Sequence, residues 1–102
     1  MERTSKKHEL KVLPEYFKAL WDGIKTFEVR LNDRDYQVGD MLVLLEIDPH
    51  TKIWTGSGLC KRVTYILDSS EYVKEGYVIM GLSNWSRKAD SESLAEGDQS
   101  TE

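Results

Sequence analysis

The sequence predicts a small α+β domain that is mainly β: a barrel of about five or six strands with one main covering helix and a short helical turn. Two observations predict it. Short runs of strand-forming residues, separated by tight turns, fill most of the chain. One stripe of apolar residues at helical spacing begins after Pro14. Such elements bury their apolar faces when the sheet curls into a closed or nearly closed barrel under the helix.

The helix is predicted over residues 14–22. Pro14 suits a first helical position, where its missing N–H costs nothing. Gly23 suits the position just past the helix end, where a left-handed backbone is common. The apolar stripe should pack on the sheet and comprises Tyr16, Phe17, Leu20, Trp21 and Ile24.

Strands are predicted at 8–13, 25–31, 41–47, 59–67 and 77–82, with a helical turn opening at 68–71. The segment 25–31 alternates most regularly. Thr26, Glu28 and Arg30 share one face of it, and the opposite face carries Lys25, Phe27, Val29 and Leu31. Large aromatic side chains are expected in the core, in particular Trp21, Phe27 and Tyr65.

Charge divides the chain into a domain and a tail. Residues 1–87 carry thirteen basic and thirteen acidic side chains, so the net charge of −4 lies in residues 88–102. The predicted organisation is a flexible N-terminus (1–7), one domain (8–85) and a disordered acidic tail (86–102). The neutral net charge of the domain argues against strong nonspecific nucleic-acid binding. A domain that is neutral as a whole can still contain a local basic cleft.

Several classes of protein are disfavoured by composition. Cys60 is the single cysteine, so no intramolecular disulfide can form. His8 and His50 lack partners at ligand spacing, so neither a metal nor another cofactor is expected. The sequence has no apolar run of membrane-spanning length and no secretory signal in residues 1–7. We therefore expect a cytoplasmic monomer without membrane contact.

The helix–glycine–strand unit carries a recognisable motif. Gly23-x-Lys25-x-x-Glu28-x-Arg30 resembles the G-x-K-x-x-E-x-R signature of ASCH domains, within the PUA-like superfamily. Flanking patterns are similar to those of a group of small bacterial and phage proteins in that class: His8-x-Leu10-Lys11-x-x-Pro14-x-Tyr16-Phe17, Asn32-Asp33-Arg34, Val38-Gly39-Asp40 and Gly76-Tyr77-Val78-Ile79. The resemblance covers residues 8–82. It implies a PUA-like barrel that binds RNA or a nucleotide, and the binding hypothesis also includes a modified nucleoside as ligand.

The resemblance also implies an alternative activity. One branch of the class contains amidohydrolases that remove the acyl group from N4-acetylcytidine, and their signature Lys corresponds to Lys25. Their Thr corresponds to Glu28, and Glu71 or Glu75 would supply their Glu. Because a carboxylate cannot replace a hydroxyl nucleophile, the sequence favours binding over catalysis. A third hypothesis is a phage-associated protein-interaction or regulatory module that acts through the acidic tail.

The candidate ligand-binding residues centre on Glu28. Arg30 shares its face, and Lys25 joins them only if the chain bends after Gly23. A carboxylate between two cations is either a structural network that seals the barrel mouth or a pocket. In the pocket, the cations contact a phosphate or base oxygen and Glu28 accepts from an exocyclic amine.

Three further residues complete the predicted ligand-binding set. Arg34 would extend the basic rim, next to Asn32, whose alternative role is turn formation. Trp54 would stack on an unpaired base, with core or lid packing as its alternative.

Overall fold

The computed structural model of the chain describes residues 4–89, and their side chains as far as Ser83. Within this range the chain forms five strands and one helix, which confirms the mainly β class. In chain order they are β1 (Lys7–Val12), α1 (Pro14–Trp21), β2 (Phe27–Leu31), β3 (Met41–Ile47), β4 (Trp54–Leu67) and β5 (Tyr77–Ala89).

Helix α1 begins and ends where its local chemistry requires. Pro14 occupies the first turn, and Glu15 places a negative charge there. The chain leaves the helix through Gly23, whose φ of +79° is open to glycine and strained for other residues. Phe17 and Leu20 are buried, so one face of α1 closes the core.

The strand order is β1-β3-β4-β5-β2, with β1 parallel to β3 and the other pairs antiparallel. Strands β1 and β2 are therefore the two edges of the sheet, and they run antiparallel to each other. The sheet curls into a half-barrel that brings these edges close together. Arg30 of β2 donates from Nη2 to the carbonyl oxygen of Lys11 in β1 at 2.7 Å. We call the gap between β1 and β2 the seam.

The core lies between the concave face of the sheet and α1. Its most deeply buried side chains come from α1, β3, β4 and β5: Leu20, Leu42, Leu44, Leu59, Val63, Val78 and Met80. Trp21 packs against this cluster as a partly buried side chain. Aliphatic residues on adjacent strands thus supply most of the apolar burial that stabilises the half-barrel.

Two aromatic residues expected in the core lie outside it, so that expectation was wrong for them. Phe27 is 43% exposed and Tyr65 is 66% exposed. Both stand opposite Gly81 of β5 on the convex face of the sheet. For Phe27 the reason is that β2 turns Glu28, rather than its apolar neighbours, towards the core, where it lies opposite the buried Met80.

The predicted boundaries differ from the structure at β5. This strand runs to Ala89, which pairs with Gly58 of β4. Residues 86–89, predicted as part of a disordered tail, therefore belong to the sheet. The rest of that tail, residues 90–102, lies outside the described residues, as do residues 1–3 of the predicted flexible N-terminus.

The predicted helical turn near residue 70 is present as a single hydrogen-bonded turn. Tyr72 and Val73 both donate their N–H groups to the Ser69 carbonyl, at 3.1 and 2.9 Å. The Ser69 hydroxyl accepts from the N–H of Glu71 at 3.2 Å. The polar residues that indicated a helix start make a local turn.

A buried carboxylate fastens the start of β1 to the loop before β3. Asp40 accepts hydrogen bonds from the N–H groups of Lys6 and Gln37, both at 3.0 Å. Its Oδ2 also lies 2.8 Å from His8 Nε2. Asp40 is fully buried and His8 nearly so, and His8 packs edge-on against Tyr36. Several groups would therefore lose their partner together if this carboxylate were removed.

We expect Asp40→Ala to lower the free energy of unfolding by about 3 kcal/mol, because it leaves buried donors unsatisfied. Urea denaturation measures the change. Asp33→Ala is the matched control, since the Asp33 side chain is 60% exposed, and it should stay within about 0.5 kcal/mol of the parent chain. Equal effects of the two substitutions would contradict the anchoring role of Asp40.

Candidate functional site

A groove of about 630 Å³ opens at the seam. Its walls come from the end of β1, the start of α1, the segment leading into β2, β2 itself and the first residue of β5. A volume of this size falls within the range of small-ligand sites. The lining residues are Lys11, Val12, Leu13, Tyr16, Lys25, Phe27, Glu28, Val29, Arg30, Leu31 and Tyr77.

A buried ion network forms the polar part of the groove. Glu28 Oε1 accepts from Lys25 Nζ at 2.7 Å, and Glu28 Oε2 accepts from Arg30 Nε at 2.8 Å. Arg30 Nη2 lies 2.8 Å from the same Oε2. The side chain of Glu28 is 6% exposed, whereas those of Lys25 and Arg30 are 18% and 26% exposed. The carboxylate is therefore enclosed, and the two cations separate it from water.

The chain bend that Lys25 requires is present. Strand β2 begins only at Phe27, so Lys25 does not follow the alternation of the strand. The N–H groups of Ile24 and Lys25 both donate to the Ala19 carbonyl, which holds this segment against the end of α1. Lys25 Nζ also donates to the Phe27 carbonyl at 2.6 Å. The structure thus brings Lys25, Glu28 and Arg30 together around one carboxylate.

This geometry limits what Glu28 can do. Both of its carboxylate oxygens already accept charge-assisted hydrogen bonds. Glu28 therefore fixes the positions of Lys25 and Arg30, and the cations are the groups that face the groove. Breaking such a buried pair is costly, so the positions of the two cations are set before any ligand arrives.

Aromatic rings lie beside the cations. Lys25 Nζ is 4.8 Å from the centre of the Phe27 ring and 6.0 Å from the centre of the Tyr16 ring. These distances are within the range of cation–π attraction. Tyr77 lines the groove from β5. The groove therefore combines a cationic edge with exposed aromatic surface.

Backbone groups of β2 also face the seam. Leu82 donates its N–H to the Thr26 carbonyl, and Asn32 donates its N–H to the Gly76 carbonyl. Because pairing alternates along an antiparallel ladder, the intervening Val29 turns its N–H and C=O away from β5 and towards the seam. The groove thus offers the hydrogen-bonding groups of an open strand edge.

Behind the groove, Tyr36 is buried against His8. Burial raises the pKa of the Tyr36 phenol from its ordinary value, and the positive charges of Arg34 and Arg30 act in the opposite direction. Tyr36 is therefore a neutral, packed side chain beneath the seam at physiological pH.

Four residues singled out from the sequence lie away from this groove. Asn32 Oδ1 accepts from the N–H of Tyr36 at 3.3 Å, a turn contact. Arg34 Nη1 donates to the Glu9 carbonyl at 2.7 Å, which adds a second arginine bridge to β1. Trp54, at the start of β4, donates from Nε1 to the Ser57 carbonyl. Glu71 lies in the turn before β5.

Among the groove residues that carry a charge or a hydroxyl group, sequence reasoning missed Lys11, Tyr16 and Tyr77. Lys11 and Tyr16 flank Pro14, within a pattern already noted for its resemblance to other proteins. The available signal was that these polar-tipped side chains lie just before and after the start of α1. Tyr77 had no comparable signal, because it reaches the groove only through the pairing of β5 with β2.

Residues 4–89 contain no group of three or more His, Cys, Asp or Glu side chains arranged to hold a metal ion. In the same range, α1 is too short to cross a membrane.

We expect Glu28→Gln to lower the free energy of unfolding by about 2–3 kcal/mol, below the 3–5 kcal/mol of a fully buried pair, because Lys25 and Arg30 reach water. Chemical denaturation measures this change. Glu71→Gln, in an exposed turn, is the matched control and should be close to neutral. A neutral Glu28→Gln would contradict the anchoring role of the carboxylate.

Comparison with known proteins assigns the part of the chain that forms the groove to a protein family. Residues 7–82 match the family described as "Domain of unknown function (DUF3850)", and every lining residue of the groove falls in that range. The chain is also 36% identical over 76 residues to a protein of Escherichia phage P2 described as "Uncharacterized 12.9 kDa protein in GpA 3'region". That alignment covers 74% of this chain and 67% of the phage protein. The chain therefore belongs to the DUF3850 family.

Proposed function

We propose that the groove binds single-stranded RNA, with one nucleotide seated at the seam. The observation that carries this proposal is a groove lined by three cations and three aromatic rings, in which one buried carboxylate holds two of the cations. The sequence resemblance to ASCH domains supports it, since that class is regarded as RNA- or nucleotide-binding. We infer in addition that the half-barrel is PUA-like.

The charge of the groove favours an anionic ligand. Its described lining carries Lys11, Lys25 and Arg30 against Glu28, so its formal charge is 3 − 1 = +2. Residues 1–87 are neutral as a whole, which makes the groove a local basic site. A phosphate is the nucleic-acid group that such a site attracts. Glu28 holds two of the cations in place, so they need little reorganisation on binding.

The aromatic surface favours an unpaired base. Tyr16 and Phe27 are 47% and 43% exposed, although both are large and largely apolar. Stacking on such rings is the usual way in which proteins hold single-stranded bases, and it tolerates any base identity. A groove of about 630 Å³ accommodates a nucleotide unit, whereas a duplex presents no free base face.

The amidohydrolase alternative receives less support from the geometry. Glu28 is committed to Lys25 and Arg30 through both oxygens. Glu71 and Glu75, the two candidates for the other implied acid, lie outside the groove lining, in the segment before β5. Incubation with N4-acetylcytidine, followed by absorbance, tests this alternative separately from binding.

We expect Lys11→Ala to weaken binding of a short single-stranded RNA and to lower the slope of log K against log salt by about 0.7, the value for one phosphate contact on a single strand. Lys11 lines the groove, and its ammonium makes no hydrogen bond or ion pair with residues 4–83, the range over which side chains are described. Fluorescence anisotropy at several salt concentrations measures both effects.

Lys7→Ala is the matched control, because Lys7 is exposed on the same side of β1 and lies outside the groove. It should leave affinity and salt slope nearly unchanged. Equal losses in both variants would indicate nonspecific charge attraction and contradict the proposal, as would the absence of any RNA binding by the parent chain.

We expect Tyr16→Ala to weaken RNA binding by about 1–3 kcal/mol, the usual contribution of one stacked base. Tyr72→Ala is its control, since Tyr72 is 77% exposed and lies in the turn before β5. Binding isotherms of both variants measure the two effects, and circular dichroism checks that the variants are folded. Retained affinity in a folded Tyr16→Ala variant would exclude stacking at this position.

A further inference from the structure

We propose that the acidic segment of this chain, residues 90–102, occupies the groove at the seam and competes there with RNA. Occupation of the groove is an intramolecular contact that does not depend on RNA. The competition rests on the proposed function.

Charge complementarity identifies the segment as an occupant. Residues 90–102 contain no Lys or Arg, and five acidic side chains give them a formal charge of −5. They are Asp90, Glu92, Glu96, Asp98 and Glu102. The groove carries +2. A carboxylate-rich segment presents the same kind of charge to Lys11 as an RNA backbone does.

The strand register shows that the segment begins close enough to reach the groove. Ala89 pairs with Gly58, Gly58 with Leu45, and Leu45 with Lys11, so all four lie in one row across the sheet. Three strand spacings separate Ala89 from Lys11, which is about 14 Å along the curled sheet. Thirteen extended residues span up to about 43 Å. The segment therefore reaches the groove without any change in β5.

Attachment to the same chain strengthens this contact. A tethered segment meets the groove at an effective concentration in the millimolar range, so weak contacts suffice. The groove also offers apolar surface at Leu13 and Leu31 and the open backbone edge at Val29. Leu94 and Ala95 interrupt the acidic run and supply apolar side chains to that surface.

The test compares two triple variants of the full chain with the same change in charge. The first neutralises the segment: Glu92→Gln, Glu96→Gln and Asp98→Asn. The second, a matched control, neutralises exposed residues outside the groove lining: Asp68→Asn, Glu71→Gln and Glu75→Gln. Each set replaces two Glu and one Asp.

The first measurement needs no RNA. We expect the segment variant to shift the backbone amide signals of Val29 and Leu31 relative to the parent chain, while the control variant leaves them in place. The difference should fade in 1 M salt, where the screening length falls to about 3 Å. Unchanged groove signals in the segment variant would overturn the inference, whether or not the chain binds RNA.

The second measurement titrates a short single-stranded RNA. We expect the segment variant to bind several-fold more tightly than the parent chain and the control variant to bind as the parent does. Equal gains in both variants would overturn the inference in favour of general charge repulsion. Groove shifts that depend on protein concentration would overturn it in favour of a second copy supplying the segment. Groove shifts without any RNA binding would support the contact and refute the proposed function.

Discussion

Arg30 connects the two ends of the sheet. The strand order places β1 and β2 at opposite edges, so no backbone ladder joins them. Arg30 donates to the Lys11 carbonyl across the gap, and Arg34 does the same to the Glu9 carbonyl. Two side chains thus take the place of the main-chain hydrogen bonds that close a complete barrel. Because side chains are longer than a strand spacing, the gap stays open as a groove, and the site is a consequence of how the fold is closed.

Glu28 explains why β2 turns a charged side chain towards the core and its apolar side chains outwards. An edge strand usually turns its apolar face inwards, but here Phe27 and its apolar neighbours are outside, and the Glu28 side chain is only 6% exposed. Burying a carboxylate is unfavourable unless it is paired and hydrogen-bonded, and Lys25 and Arg30 meet both conditions. The outward apolar face then becomes groove surface. The ion pair between Glu28 and Arg30 holds Arg30 in its bridging position. Because Glu28 faces the core, the same arrangement leaves the Phe27 ring exposed, which a domain of this size would otherwise bury.

Local chemistry made the helix and the ion network predictable. Pro14 and Gly23 mark the ends of α1 through their own backbone preferences, and the short segment after Gly23 allows Lys25 to reach Glu28. Strand order and the inward face of β2 were not predictable in the same way. Alternation defines two faces of a strand but does not say which is buried when the buried one holds a compensated charge. Residues 86–89 were also not predictable from local sequence. They are polar, and they form a strand because they pair with β4.

Closure of the seam and the proposed binding both use Arg30, and this has an energetic consequence. Arg30 uses Nε and Nη2 for Glu28 and for the Lys11 carbonyl. Within residues 4–83, the range over which side chains are described, Nη1 has no hydrogen bond, so it can donate to a ligand. A ligand held by Lys11 on one edge and by Arg30 on the other would therefore add a connection across the seam without breaking the existing one. Ligands that bind only the closed form stabilise it by mass action, by about 2.7 kcal/mol at a hundredfold excess over Kd. Because an acidic segment of the same chain would bridge the edges in the same way, the free and RNA-bound forms would both keep the seam closed, and exchange between occupants would not require the barrel to open.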